Sequence, residues 1–216
     1  MNLKEILNIL TLLSPATLIA GVIIGLINYR ERNVVGRAIT IYMLLMLLVD
    51  LASRIFEYYY KNNLIILVVY SLLELLLFTY FFYKYFFKAR HRIVFVICVL
   101  SALYILWELF TFKRMAAKDF QSYAKVADNF TVITLVLAFY YERINRFRES
   151  KWDYFQLNAI ILIFFSVTLI FFLPFNFIIN ISGLQFYFWL GILLTTVLFY
   201  LYLTWYLWKN GRTRRS

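Results

Sequence analysis

Apolar residues fall into seven runs along the chain, at about 6–28, 38–60, 64–83, 93–112, 124–141, 155–173 and 184–208. Each is close to the roughly 20 residues that a helix needs to cross a hydrocarbon core. Short polar or basic segments separate them and leave no length for a soluble catalytic or DNA-binding domain. The pattern predicts an all-α fold, one transmembrane domain over 1–216 built as a polytopic bundle of seven helices. The first run follows Lys4 and Glu5 and has no small-x-small site at its end, so it is read as a retained helix.

Polar residues inside these runs change the picture most. The second run carries Asp50, Arg54 and Glu57 at i, i+4 and i+7, which places them within roughly 60° of one another on a helix surface. Each charge near the bilayer centre costs about 2.5–3.5 kcal/mol on insertion scales, so this stripe must face protein or water. Two readings follow. Arg54 is either a clasp between two acids, internally satisfied, or part of a site that binds a ligand or proton. Glu74 lies in the middle of the third run, with Tyr70 and Ser71 four and three residues before it. Glu108, preceded by Tyr104 and Ser101, lies late in the fourth run, and Asp128 lies early in the fifth. Glu108 and Asp128 can equally be residues that touch water at the membrane surface. Taken together, Asp50, Arg54, Glu57, Tyr70, Glu74, Tyr104, Glu108 and Asp128 outline an outward-facing polar site on the second to fifth helices, richer in acid than in base.

Composition supports the membrane reading, since 64% of the 216 residues are hydrophobic and 21% aromatic, well above a soluble domain. The formal net charge of +11 would suggest a nucleic-acid partner in a soluble protein. Here the basic residues cluster between apolar runs and read as topology signals, with no nucleic-acid partner implied. Arg30, Arg32, Arg37, Lys84, Lys88, Arg90, Arg92, Arg143, Arg146, Arg148, Lys151, Lys209, Arg212, Arg214 and Arg215 fall on one side. The other side holds only Lys4, Lys61, Lys113, Arg114, Lys118 and Lys125. By the positive-inside rule the N-terminus is outside and the C-terminus cytoplasmic. The location is the cell membrane, multi-pass, and the inner membrane if the source is bacterial, with membrane lipids as partners and the basic tail near anionic headgroups.

Thr17, Gly21 and Gly25 form a small-residue ridge in the first run. Such ridges let helices approach closely in lipid, either inside this bundle or in a homo-oligomer through Gly21 and Gly25. Pro15 is read as a bend. A single cysteine, Cys98, and a single histidine, His91, exclude an intramolecular disulfide, multi-histidine zinc sites and bis-histidine haem. No phosphate-binding glycine loop or nucleophile elbow is present. No catalytic residue, metal or cofactor is assigned. His91, in a basic turn, is read as solvated, and the triplets at Asn129 and Asn180 as chance matches to the glycosylation signal.

The stretch from Ser71-Leu72-Leu73-Glu74 to Tyr80-Phe81-Phe82-Tyr83-Lys84, and again Phe139-Tyr140-Tyr141-Glu142-Arg143, resembles uncharacterised seven-helix membrane proteins of Bacteroidota, some of which accompany sensor histidine kinases. The resemblance implies signalling and carries over no catalytic residue. The leading functional expectation is therefore a membrane sensor or regulatory protein that signals to a cytoplasmic partner. A small proton- or cation-coupled transporter, or a channel or pore-forming membrane effector, is the alternative, and an intramembrane lipid enzyme using paired carboxylates (Asp50 with Glu57 or Glu74) is a third.

Overall fold

The computed structural model describes residues 3–27, 29–112, 122–145, 154–178 and 184–211. Among them are seven α-helices and no strand: α1 Leu3–Leu26, α2 Val34–Tyr60, α3 Leu64–Phe81, α4 Arg92–Thr111, α5 Ala124–Asn145, α6 Phe155–Ile178 and α7 Leu184–Gly211. A 3₁₀ turn, Tyr29–Glu31, precedes α2, and α3 runs into a π-helical turn, Phe82–Phe86. Every apolar run is thus a helix, with ends a few residues from where hydropathy places them. Six of the helices are long and apolar enough to cross a membrane, and α5 is not in that set. The reason is visible in its sequence, since Lys125, Asp128, Asn129, Glu142 and Arg143 interrupt its apolar positions. The basic residues Lys113, Arg114, Lys118, Arg146, Arg148, Lys151 and Arg212 to Arg215, and the triplet beginning at Asn180, lie outside the described residues.

The helices group into two compact units, one of α1, α2 and α7 and the other of α3 to α6. In the first, α1 packs on both α7 and α2 around Leu18, Val22, Met43, Met46, Leu203 and Leu207, all buried. The glycine ridge makes this close approach possible. A Cβ added at Gly21 would overlap Met43 Cε and lie 2.7 Å from Thr204 Oγ1, and one at Gly25 would lie 2.5 Å from Thr40 Cγ2. The two glycines are therefore covered inside the chain by α2 and α7.

The same unit is tied by one buried cation. Arg32, 6% exposed, donates from Nε to Gly25 O at 3.0 Å, from Nη2 to the carbonyls of Ile24 and Ile27, and from Nη1 to Leu207 O at 2.6 Å. The last carbonyls of a helix have no intrahelical donor, so this guanidinium caps α1 and joins its end to α7. Burial lowers its pKa from the usual arginine value, but the ring of carbonyls stabilises the charged form. Asn33 caps α2 through a bond from Gly36 N to its Oδ1 at 2.7 Å.

In the second unit α5 is the shared element, packed against α3, α4 and α6. Val68, Leu75, Ile105 and Ala124 form one buried cluster, and Val132, Leu135, Val136 and Phe139 extend the apolar face of α5. The π turn places Phe86 against Phe139 and Tyr154, with ring centroids at 5.9 and 5.8 Å.

Gly25→Ala is expected to cost about 1–3 kcal/mol by overpacking, because the β-branched Thr40 cannot swing aside as Met43 can at Gly21. Thr40→Ala should restore most of the loss. Equilibrium unfolding in detergent checks this, and a Gly25→Ala protein as stable as the wild type would contradict the packing.

Candidate functional site

Helical spacing brings the first group of polar residues together on α5 and α3. Lys125 and Asp128 are one turn apart on α5, and Tyr70 and Glu74 one turn apart on α3, so each pair shares a helix face. Where the two faces meet, Lys125 Nζ is ion-paired to Glu74 and, at 2.5 Å, to Asp128 Oδ2. Tyr70 donates its hydroxyl to Glu74 Oε1 at 2.9 Å. The ammonium also lies 4.6 Å from the centroid of the Tyr70 ring and 5.3 Å from that of Phe165 on α6, distances at which the negative ring face attracts a cation. Phe165 is in turn held edge-on by Phe78 at 5.0 Å. One cation thus sits between two carboxylates and two aromatic rings, contributed by α3, α5 and α6.

All three ions are out of solvent: Glu74 and Asp128 are 0% exposed and Lys125 3%. With both acids ionised the cluster carries one negative charge in excess, which is costly at low dielectric. A single proton on either acid makes it neutral. Asp128 Oδ1 has no hydrogen-bond partner among the described residues, and neither polar atom of the neighbouring, fully buried Asn129 has one. The cluster therefore has an open acceptor beside its charge imbalance.

Sequence reading counts Lys125 among the loop cations, and the structure corrects this. Lys125 is the second residue of α5 and its side chain points into the unit. The signal is its i, i+3 spacing from Asp128, a pair that can be buried only as a pair. Glu108 on α4 accepts from Tyr123 N at 3.3 Å, which ties the end of α4 to the start of α5. Tyr104 packs against the Val68, Leu75, Ile105 and Ala124 cluster. Ser101 and Thr131 join α4 to α5 through a 2.7 Å hydroxyl contact.

Asp50, Arg54 and Glu57 belong to the other compact unit. Arg54 Nε binds Asp50 Oδ2 at 2.8 Å, and its Nη2 donates to Thr11 O on α1 at 2.7 Å. The second contact has a cause in the sequence. In an α-helix the carbonyl of residue 11 bonds the N–H of residue 15, and Pro15 has none. Arg54 supplies the donor that Pro15 lacks. Glu57, expected on the same stripe, is exposed, and its carboxylate has no partner among the described residues, so it is not part of the clasp. Its position one turn beyond Arg54 is also the last turn of α2, where the helix reaches its end at Tyr60.

A third polar knot was not legible as a site. Glu142, 6% exposed, accepts from Lys88 N at 3.0 Å, from Ala89 N at 3.3 Å and is 2.8 Å from His91 Nε2. Tyr83 Oη donates to His91 O at 2.7 Å. His91, read as solvated, is instead a partner of α5 that holds the turn between the π segment and α4.

Two outcomes are expected from these geometries. Lys125→Met should cost about 3–5 kcal/mol by leaving two buried carboxylates without their cation, and adding Glu74→Met and Asp128→Leu should recover most of it, as read by unfolding in detergent. Arg54→Met should cost less in a Pro15→Ala background, where residue 15 again has an N–H, with a coupling on the order of 1 kcal/mol; additive losses would count against the link. Comparison with protein-family models, characterised proteins and solved structures finds no match to this chain.

Proposed function

We propose that the chain is a multi-pass cell-membrane protein with all seven helices spanning, N-terminus outside and C-terminus cytoplasmic, that senses proton occupancy at Glu74, Lys125 and Asp128 and signals to a cytoplasmic partner. The observation that carries this reading is a single buried ammonium shared by two buried carboxylates, with one oxygen of Asp128 left open. Intramembrane ionisable groups mark functional sites by default. Taking up a proton weakens one of the two ion pairs of Lys125, and the Glu74 pair is a direct polar tie between α3 and α5. α5 carries the consequence along its length: Asp128 and Glu142 are 14 residues apart, roughly 21 Å along one helix. Glu142 in turn holds the backbone of Lys88 and Ala89, in the basic turn assigned to the cytoplasmic side.

A proton-coupled transporter is the second reading. The fully buried Asn129 amide, next to Asp128 in sequence and without a hydrogen-bond partner among the described residues, favours it, because such a group can serve a cargo or a proton path.

Infrared difference spectroscopy of the protein in nanodiscs is expected to show the carbonyl band of a protonated acid that titrates with pH. The band should be lost in Glu74→Gln/Asp128→Asn and kept in Asp50→Asn. Amide exchange at Lys88 and Ala89 should change with the same titration. A protein with no titrating acid band sinks both readings. Proton flux in proteoliposomes that Asp128→Asn abolishes moves the assignment from sensor to transporter.

A further inference from the structure

We propose that the groove between the start of α4 and the end of α5 binds an anionic phospholipid, its phosphate on Arg90 and Arg92 and an acyl chain along the floor. The groove has a volume of about 740 Å³ and includes Arg90, Arg92, Ile93, Leu137, Ala138 and Tyr141, a size in the range of small-ligand sites. Its lining combines two chemistries. Arg90 and Arg92 are exposed and have no carboxylate partner among the described residues. Ile93, Leu137 and Tyr141 are exposed at 79, 52 and 68%, giving an apolar floor beside the arginines, with Leu137 about one helical turn further along α5 than Tyr141. A soluble anion would satisfy the cations and leave the floor bare, whereas a phospholipid has a phosphate and an aliphatic chain on one molecule.

The nearest acid does not compete for the arginines. Glu142 is already engaged by Lys88 N, Ala89 N and His91 Nε2, so the local field at the groove mouth stays positive. The first turn of α4 adds to it: it has no acidic residue of its own, and its N-cap His91 makes no side-chain hydrogen bond to the helix, so the positive end of the helix dipole lies beside Arg90 and Arg92. The Glu142 knot also holds the turn that carries Arg90, so the headgroup site is presented in one geometry and not on a loose loop.

The test uses the full chain in phosphatidylcholine nanodiscs, titrated with phosphatidylglycerol, with bound lipid identified by native mass spectrometry. The wild type should retain phosphatidylglycerol in preference to phosphatidylcholine. Arg90→Gln/Arg92→Gln should weaken retention on the order of thirtyfold, the effect of removing two cations from an anionic surface, with an unchanged unfolding midpoint in phosphatidylcholine alone. Ala138→Trp, which fills the floor and leaves both arginines, should also weaken it. Undiminished retention in either variant overturns the proposal. So does an equal loss on removing two basic side chains elsewhere, Arg30→Gln/Lys209→Gln, which would assign the binding to general charge. Displacement of the lipid by inorganic phosphate at equal concentration would make the groove a free-anion site and overturn it as well.

Discussion

Burying an ammonium between two carboxylates is the constraint around which the α3–α6 unit is arranged. The desolvation of three ions is large, and only close, simultaneous partners offset it. Lys125 meets that demand with Glu74 from α3, Asp128 from its own helix and ring faces from Tyr70 and Phe165. The partners come from α3, from α5 itself and from α6, so the depth and rotation of three helices are set together. Apolar packing alone would tolerate a helix rotated or slid by a residue. An ion with four fixed neighbours does not.

The α1, α2 and α7 unit solves a related problem with different chemistry. Its cations are directed mainly at backbone carbonyls. Arg54 serves the carbonyl orphaned by Pro15, and Arg32 serves those orphaned by the end of α1. In hydrocarbon there is no water to hydrate such groups, and helix association there depends on close packing and polar contacts more than on the hydrophobic effect. The glycine ridge supplies the packing and the arginines supply the polar contacts. A proline in α1 and a charge in α2, unrelated in sequence, are therefore two halves of one local solution.

The helices were legible because six of the seven apolar runs have the length and apolarity that a helix needs to cross a bilayer, and the fifth, shorter in apolar residues, keeps a helical pattern between polar segments. The site was legible where partners lie on one helix. Asp50 with Arg54 and Tyr70 with Glu74 follow from four-residue spacing. It was illegible where the partner is chosen by packing between helices. Lys125 is the second residue of the fifth run, yet it counts with the loop cations in the charge balance, since a lysine so near a helix end is ordinarily a solvated one. His91 reads as one more basic residue in a turn, because Glu142 is some fifty positions away in the chain. Glu57 was grouped with Arg54 by angle alone, which ignores that α2 is close to its end there. The Pro15 and Arg54 contact was in principle derivable, from the missing N–H of proline, but only once α1 and α2 are known to be neighbours.

The low apolarity of α5 has a consequence for biogenesis. Helices emerge from the ribosome in order, and one carrying Lys125, Asp128 and Asn129 gains too little from lipid to partition on its own terms. Glu74 is made before it and Phe165 after it. Under the seven-span reading proposed above, α5 of a chain inserted during synthesis either waits beside the insertion machinery until α6 is complete or enters against α3 as a preformed pair, so its insertion is tied to its neighbours in a way that the six apolar helices do not need.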